Sequence, residues 1–394
     1  MAANVLTYNA IGTILNQIVT QATGKAVITP TNTSEFTAVA QTGLLAGYDN
    51  LMGAISQVLS KTIISTRPYS RHFQGLEADA IRYGNHVRKI NYIDRDWEDG
   101  SRLPLTTGVQ VDDQSPTIDE VLQTNFYGQN DYEIPWTLFS NQIDVAFQNA
   151  DELGAFITGK LQNISDMTEQ KHGSMARMIL ANLIAGLLSI NNPHQVYHMV
   201  SDYNTYSGYS PAKTLTEIRG DAAEYAKFTK WMYGRVAQIS AMLTERAVIY
   251  HQNVTGKEIS RHTPYEKQNL YLLSSERFQM EASVLADVYH DNYLRMADTA
   301  ILNFWQSITT PDTINVTPTY MKTDGTLETP QSAVNQANVF GVICDREAAG
   351  YTIVNQRTTS AAYNGKGEFQ NFWLKFTDRY WNDFTENTVV LLMD

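Results

Sequence analysis

The chain has 394 residues, a formal net charge of −12 and one cysteine, Cys344. This length predicts two or three domains, since single cores stop growing at about 250 to 300 residues, and the acidic balance without a Lys/Arg cluster argues against binding to nucleic-acid phosphates. The lone cysteine excludes an intrachain disulfide and a cysteine-based metal site, and we find neither a secretion signal nor an apolar run long enough to span a membrane.

The N-terminal segment, residues 1–67, is predicted to be an arm. Apolar residues recur at helical spacing from Tyr8 to Gln21 and again from Leu44 to Ile64. Between them, Lys25 to Phe36 places a proline among Thr, Asn and Ser, which is typical of a linker. The continuous pattern is too sparse for independent folding, so we expect this arm to lie along another surface.

Residues 67–135 alternate polar and apolar positions, which is the period of strands with one covered face. The alternation is clearest in His86 to Asp94 and in Val121 to Ile134, with further signs of it in Leu103 to Val111. An isolated two-stranded ribbon is marginal in water. No later stretch offers an evident apolar partner, so we infer that the ribbon lies on a neighbouring subunit.

The tip of this ribbon is polar, with one aromatic residue, Trp97. Its four acidic residues raise the alternative of a Ca²⁺ site, because hard cations bind several oxygen ligands from a short loop. These residues are Asp94, Asp96, Glu98 and Asp99. The spacing lacks the frame of an EF-hand and two arginines, Arg95 and Arg102, lie among them. A solvated or intersubunit hairpin tip is the favoured interpretation.

A single long helix is predicted from Asn149 to about Leu188, where apolar residues recur at helical spacing. Asn149 with Glu152 forms the N-terminal signal, and Asn191-Asn192-Pro193 ends the run. The alternatives are an ordinary core helix or two helices broken at Gly173. Three glycines predict curvature or a hinge: Gly154, Gly159 and Gly173.

The stretch after this helix has the pattern of an α/β domain. Ser201 to Ser210 is predicted to be a loop, and Leu215 to about Glu245 a helix. Further elements are a strand at 269–275, a helix at about 276–296, a strand at 313–320 and a buried strand at 338–345.

The C-terminal part predicts a hairpin followed by one apolar strand. Tyr351 to Thr359 and Phe369 to Trp381 alternate as strands around a turn at Ala362 to Glu368, and Thr388 to Met393 is the final strand. The turn sequence Gly365-Lys366-Gly367 lacks the frame of a phosphate-binding loop, and a hairpin turn explains both glycines.

No pattern of catalytic residues stands out, so we predict no cofactor, no metal and no enzyme activity. His194 and His198 have the i, i+4 spacing of zinc ligands on a helix, but no third ligand is evident. His251 and His262 lie in a polar, loop-like region. A multidomain cytoplasmic enzyme remains an alternative, with His194 and His198 as its best candidates.

The order of elements resembles that of tailed-bacteriophage major capsid proteins of the Hong Kong 97 type, nearly end to end. The stretches Phe126-Tyr-Gly-Gln-Asn-Asp-Tyr-Glu-Ile-Pro and Phe372-Trp-Leu-Lys-Phe to Leu392 are most similar to the coat proteins of phi-29-like short-tailed phages. The resemblance implies an α+β fold. Its parts would be an N-terminal arm (1–67), an extended two-stranded loop (68–135), a peripheral domain with the spine helix (136–210), an α/β axial domain (211–345), and a return hairpin with the final axial strand (346–394).

The resemblance implies a coat protein that self-assembles through pentamers and hexamers into an icosahedral shell. The shell would enclose double-stranded DNA without sequence-specific binding and without a membrane, in a virion assembled in the host cytoplasm. An encapsulin-like nanocompartment is the alternative within this fold. The implied intersubunit contacts are the loop tip, Arg95, Asp96, Trp97, Glu98, Asp99 and Arg102, and the peripheral turn, Tyr363, Asn364, Gly365, Lys366 and Gly367.

Two features of such capsid proteins are not expected here. Some members crosslink their shells through a lysine near the loop tip, but Asp94 to Gln114 contains no lysine and only Lys89 lies nearby. Some members carry a long N-terminal scaffolding region, for which the early start of the spine leaves no room. We therefore predict no such crosslink, and expect a separate scaffolding protein and a portal as partners.

Overall fold

The computed structural model describes residues 8–24, 29–30, 33–45, 47, 50–55, 74–78, 86–94, 118, 120–146, 150–285 and 299–394. The expected N-cap Asn149, the strand at 103–111 and the end of the helix predicted to reach residue 296 lie outside these ranges.

Two N-terminal helices, α1 (Tyr8–Thr23) and α2 (Thr33–Leu45), pack against each other and against the rest of the subunit. The helix predicted from Tyr8 is confirmed. The linker prediction is wrong from Thr33 onward, because Phe36, Val39 and Ala40 have helical spacing and bury their side chains. A further helical segment covers residues 50–55.

The short helix α3 (Ser140–Ala146) precedes the spine helix α4, which runs from Ala150 to Ile190 as one helix of 41 residues. The prediction of a single helix is confirmed. It continues through all three glycines, so the alternative of two helices broken at a glycine is wrong. Its C-terminal half is buried because apolar residues occupy most faces there, including Ile179, Leu183 and Leu187.

Part of the spine, Asn163–Ile190, is long and apolar enough to cross a membrane by length and composition, and within the described residues no other helix is. More than half of this apolar window, 56%, is buried inside the protein. The sequence analysis found no apolar run long enough to span a membrane, and so it missed this segment of the spine. The apolar residues of the segment line the main hydrophobic core.

A three-stranded antiparallel sheet covers one side of the spine. Its order is β12 (Ala349–Ser360), β13 (Phe369–Asn382) and β3 (Gly128–Phe139). Alternate residues of β13, Phe372, Leu374 and Phe376, are buried. The hairpin prediction is confirmed, whereas Gly128 and its successors are wrongly placed in the ribbon, since β3 pairs with β13 along its whole length.

The ribbon itself consists of β1 (Val87–Tyr92) and β2 (Val121–Phe126), paired antiparallel. The prediction of two alternating strands is confirmed for these residues.

The central sheet has five strands and places the C-terminal strand inside it. Its order is β4 (Val196–His198), β14 (Thr388–Leu392), β11 (Val339–Asp345), β5 (Gln268–Leu273) and β6 (Thr299–Leu302). Every residue of β11 and β14 is buried. One face packs on the spine helix and the other on the helices that follow it, so continuous apolar runs form these strands.

The helices that cover the far face include α5 (Met199–Ser207), α6 (Leu215–Gly220) and α7 (Ala222–Met242). The loop predicted at Ser201 to Ser210 is wrong, because Met199, Val200 and Tyr203 bury one helical face. The single helix predicted from Leu215 is also wrong. Asp221 caps a new helix by accepting from the N–H groups of Ala223 and Glu224.

The remaining elements are short. Helix α8 is Ser274–Leu285, and the strands are β7 (Ile314–Val316), β8 (Tyr320–Met321), β9 (Leu327–Glu328) and β10 (Val334–Gln336).

Two helical glycines provide a matched test of packing. A Cβ at Gly186 would lie 2.6 Å from the Phe384 ring, whereas a Cβ at Gly234 would meet nothing within 4 Å. We expect Gly186→Ala to lower the free energy of unfolding by about 1–3 kcal/mol through overpacking. Gly234→Ala should raise it by about 0.5–1 kcal/mol through helix propensity. Urea unfolding followed by circular dichroism measures both, and equal effects would contradict this packing.

Candidate functional site

The ribbon of β1 and β2 has two chemically different faces. Residues alternate in exposure along β1, so that Lys89 faces the protein while Ile90 and Tyr92 face outward. Val121 lies directly opposite Tyr92 and adds to the outward face. The side chains of Ile90, Tyr92 and Val121 are 49%, 69% and 53% exposed. The outward face is therefore apolar at three neighbouring positions.

The inward face is anchored by a cluster of charges, here called the ribbon-base cluster: Lys89, Arg261, Glu347, Asp383 and Glu386. The Lys89 Nζ lies 3.0 Å from Asp383 Oδ2 and 3.2 Å from Glu347 Oε2, and it donates to Glu386 Oε1. Arg261 Nη1 lies 2.5 Å from the same Glu386 oxygen. A buried charge needs such partners, and the ribbon therefore docks on its own chain by ion pairs.

A tight turn between β13 and β14 presents the two buried carboxylates. Asp383 Oδ1 accepts from the backbone N–H of Thr385 at 2.9 Å and from its hydroxyl at 2.6 Å. These bonds fix the carboxylate so that its other oxygen faces Lys89. Arg261 also reaches the turn, with Nη2 donating to Thr385 Oγ1 at 3.3 Å.

The cluster holds three carboxylates against two cations, and two of its groups, Glu386 and Lys89, have pKa values above their ordinary ones. Burial raises the pKa of Glu386 to about 7, against the opposing effect of Lys89 and Arg261. Burial alone would lower the pKa of Lys89, but Asp383 and Glu386 outweigh it and raise that pKa above its ordinary value. The Lys89 side chain is therefore protonated and positively charged at neutral pH.

A second set of ionic contacts lies at the far end of the described ribbon. Asp94 Oδ2 accepts from the Ser260 N–H at 2.6 Å, and its other oxygen accepts from Arg246. Burial would raise the pKa of Asp94, but these bonds lower it below its ordinary value. Glu120 Oε2 lies 2.5 Å from Lys257 Nζ. Asp94 is thus a docking residue rather than part of a free tip.

The predicted tip residues lie outside the described residues. They are Arg95, Asp96, Trp97, Glu98, Asp99 and Arg102. The Ca²⁺ alternative is therefore not tested at three of its four carboxylates. The described residues contain no group of three or more His, Cys, Asp or Glu side chains that could hold a metal ion.

The predicted peripheral turn joins β12 to β13 and is exposed from Asn364 to Glu368. The Asn364 Oδ1 accepts from the N–H groups of Lys366 and Gly367 at 3.1 and 3.0 Å. The Asn364 N–H donates to Phe369 O at 2.9 Å and closes the turn. Tyr363 packs partly buried against the core formed by α1 and α2. The structure thus brings the five predicted turn residues into one hairpin end.

The histidine predictions need two corrections. His194 lies in a turn and His198 ends β4, so they do not share a helical face, and His198 Nδ1 instead meets Asp394 Oδ1 at 2.6 Å. Pro193 and the adjacent asparagines end the helix before them. His251 lies in a loop-like region, as predicted, but its side chain is buried, and its Nδ1 lies 3.0 Å from Asn387 Oδ1 in the turn before β14.

The sequence reasoning missed the partners of Lys89. Glu386 is 297 residues away along the chain, and no local pattern links the two positions. The available signal was a single lysine on the covered face of an alternating strand, since a buried lysine requires a carboxylate partner.

Comparisons with known proteins agree with this architecture. The sequence matches the model of the Phi29-like phage major capsid protein family over residues 13–392. No protein of curated function matches the sequence.

Two solved structures show the same fold at low sequence identity. A chain of the capsid structure of Staphylococcus phage Andhra is 11% identical, with a TM-score of 0.54 over 82% of this chain and 84% of that chain. A chain from the structure of the head fiber and inner core protein gp22 of native bacteriophage P68 is also 11% identical. Its TM-score is 0.52, and the match covers 82% of this chain and 85% of that chain.

The ribbon-base cluster predicts a large cost for removing its lysine. Lys89→Met removes the ion pair of the buried Asp383 and leaves Glu386 paired with Arg261. We expect a loss of about 3–5 kcal/mol in the free energy of unfolding. Lys375→Met is the matched control, because Lys375 meets Glu133 at 3.5 Å in an exposed pair. Such a pair contributes at most about 1 kcal/mol.

Urea unfolding measures both lysine variants, and hydrogen exchange of the β1 amides shows whether the ribbon detaches locally. Equal small effects and unchanged exchange in the two variants would contradict the anchoring role of Lys89.

His251 predicts a pH dependence of stability. Burial and the nearby Arg261 lower the pKa of His251 below its ordinary value of 6.5, so the folded chain resists a proton that the unfolded chain accepts. Stability from this group is complete above pH 6.5 and is lost as the pH falls below it. Unfolding of His251→Gln across this range should show a weaker pH dependence than wild type. His194→Gln, at an exposed position, should retain the wild-type slope.

Proposed function

Since this chain belongs to the Phi29-like phage major capsid protein family, we propose that its β1–β2 ribbon joins neighbouring subunits of the phage shell. The protein is a coat protein of the Hong Kong 97-type fold that forms the icosahedral capsid, and it has a structural role in the virion. The apolar outward face of the ribbon carries the proposal.

Among the described residues, the contacts that hold the ribbon to its own subunit leave its apolar face uncovered. Lys89 and Asp94 bind partners in the same chain, while Ile90, Tyr92 and Val121 contribute exposed apolar surface on the other side. Contiguous exposed apolar side chains mark protein interaction surfaces. In a shell, the occupant of this face is a second copy of the chain. The tip residues 95–99 and Arg102 are proposed to extend the same intersubunit contact.

The peripheral turn is the second proposed contact. Tyr363 to Gly367 project from the end of the β12–β13 hairpin, and Tyr363 is anchored in the core beneath α1 and α2. An exposed turn on a rigid hairpin suits contact with an adjacent ring of subunits. We propose pentamers and hexamers as those rings, since one chain builds a closed icosahedral shell through repeated heterologous contacts.

The division of the chain is proposed to follow the family plan: arm (1–67), extended loop (68–135, whose last residues from Gly128 onward pair with β13), peripheral domain with the spine (136–210), axial domain (211–345), and return hairpin with the final axial strand (346–394). In this plan β5, β6 and β11 of the central sheet lie in the axial domain and β14 is the final axial strand, whereas β4 lies within residues 136–210.

A separate scaffolding protein and a portal are the proposed assembly partners. Helices α1 and α2 are packed into the folded subunit, with Leu15 and Phe36 fully buried, and so they do not form a free scaffolding region. Assembly is proposed to take place in the host cytoplasm around double-stranded DNA. The acidic chain would enclose this DNA without sequence-specific binding.

We also propose that the protein has no catalytic activity and forms no lysine-mediated crosslink near the ribbon. Lys89 is the lysine nearest the tip in the sequence. Its amine lies within ion-pair distance of three carboxylates, and the pKa of Lys89 is raised above its ordinary value. A protonated amine has no free electron pair, so Lys89 is a poor nucleophile.

The ribbon face gives a direct test of shell assembly. Tyr92→Asp places a charge opposite Val121 and should abolish or strongly reduce shell formation, because the apolar contact with the neighbouring subunit is lost. Tyr92→Phe keeps the ring and should assemble like wild type. Electron microscopy and sedimentation, with and without a scaffolding protein, measure the outcome.

Thermal unfolding of the unassembled subunit is the control, since both Tyr92 variants should melt like wild type. Normal shells from Tyr92→Asp would remove the ribbon face from the interface. A uniform monomer for the wild-type chain under all conditions would contradict self-assembly.

A further inference from the structure

The turn between β12 and β13 contains the single Asn-Gly pair of the sequence, Asn364-Gly365. A glycine after asparagine leaves its backbone nitrogen uncrowded, and that nitrogen is the nucleophile in succinimide formation. We propose that Asn364 is a self-modifying site, at which the folded turn promotes conversion of the asparagine to aspartate and isoaspartate.

The turn holds the electrophile in an activated arrangement. Lys366 and Gly367 donate their backbone N–H groups to Asn364 Oδ1 at 3.1 and 3.0 Å. Donors placed at roughly 2.7–3.1 Å stabilise an oxyanion without reorganisation. The two donors therefore polarise the side-chain carbonyl, and they are already in place when negative charge develops on Oδ1.

The nucleophile and the leaving group are both accessible. Within the described part of the chain, the Gly365 N–H donates no hydrogen bond and the Asn364 Nδ2 has no partner. A Cβ placed on Gly365 would meet nothing within 4 Å. Hydroxide can therefore reach the Gly365 N–H, and ammonia can leave into solvent.

The reaction is balanced with water as the only co-reactant. A base removes the Gly365 amide proton, the nitrogen bonds to Asn364 Cγ, and an electron pair moves onto Oδ1. The pair returns, the Cγ–Nδ2 bond breaks, and Nδ2 leaves with a proton as ammonia. Water then opens the resulting five-membered imide at either carbonyl, which gives aspartate or isoaspartate at position 364.

The two products change the turn differently. Aspartate adds a negative charge beside Lys366 and keeps an oxygen for both donors. Isoaspartate routes the main chain through the side chain and lengthens it by one methylene group. Because the Asn364 N–H closes the turn on Phe369 and the Ser140 N–H binds Glu368 O at 3.0 Å, isoaspartate disturbs the hairpin end and its link to α3.

The test uses the full-length chain, incubated in mildly alkaline buffer and digested with trypsin. The peptide ending at Lys366 is analysed by mass spectrometry, and isoaspartate is measured with an isoaspartyl methyltransferase. We expect Asn364 to react several-fold faster than Asn253 and Asn315, which both precede valine, and its rate to rise in proportion to hydroxide. Equal rates at the three asparagines would overturn the proposal.

Two comparisons isolate the contributions of the turn. Gly365→Ala adds a Cβ into open space, so the fold and its melting temperature should stay unchanged while modification of Asn364 slows several-fold. In the urea-unfolded chain the two donors are lost, and the reaction should be slower than in the native chain. An alanine variant that reacts as fast as wild type, or a faster reaction on unfolding, would overturn the assignment.

Discussion

The position of the last strand, β14, in the middle of the central sheet determines how the sheet and the helices on both of its faces pack together. β14 pairs in parallel with β4 on one side and antiparallel with β11 on the other, and all five of its residues are buried. A strand in this position cannot be left out without exposing both neighbouring edges and both apolar faces of the sheet. The spine helix on one face and α7 on the other are therefore joined through a strand supplied by the chain end.

The turn that leads into β14 also contacts the ribbon, so the position of β14 and the position of the ribbon are linked. Its backbone binds the segment around His251, with Gln252 N–H donating to Phe384 O and Thr388 N–H donating to Tyr250 O, both at distances of 2.9–3.0 Å. Its carboxylates bind Lys89. The fold of the central sheet and the position of the ribbon are thus set by the same few residues.

The ribbon has ion pairs on its inward face and exposed apolar side chains on its outward face. Buried ion pairs contribute little net stability relative to apolar contacts, but they fix geometry because an unmatched buried charge is costly. The inward face uses this property to set the direction of the ribbon. The outward face keeps its apolar side chains free for an occupant outside the subunit, as expected of a coat protein whose surfaces meet further copies. The peripheral turn has a similar division, with the partly buried Tyr363 packed on the core and exposed residues beyond it.

The sequence by itself determined the elements with a strong local pattern: the spine, the mostly apolar strands β11 and β14, and the alternating strands of the ribbon and the return hairpin. In these stretches hydrophobic pattern and backbone preference agree. Local reasoning misplaced α5 and the break at Asp221, where polar residues that favour turns also cap helices or lie on their exposed faces. Only the tertiary structure decided that β3 joins β13, that β14 enters the middle of a sheet, and that Lys89 finds its carboxylates near the chain end. These pairings depend on contacts between distant parts of the chain, and such contacts leave no period or spacing in the sequence.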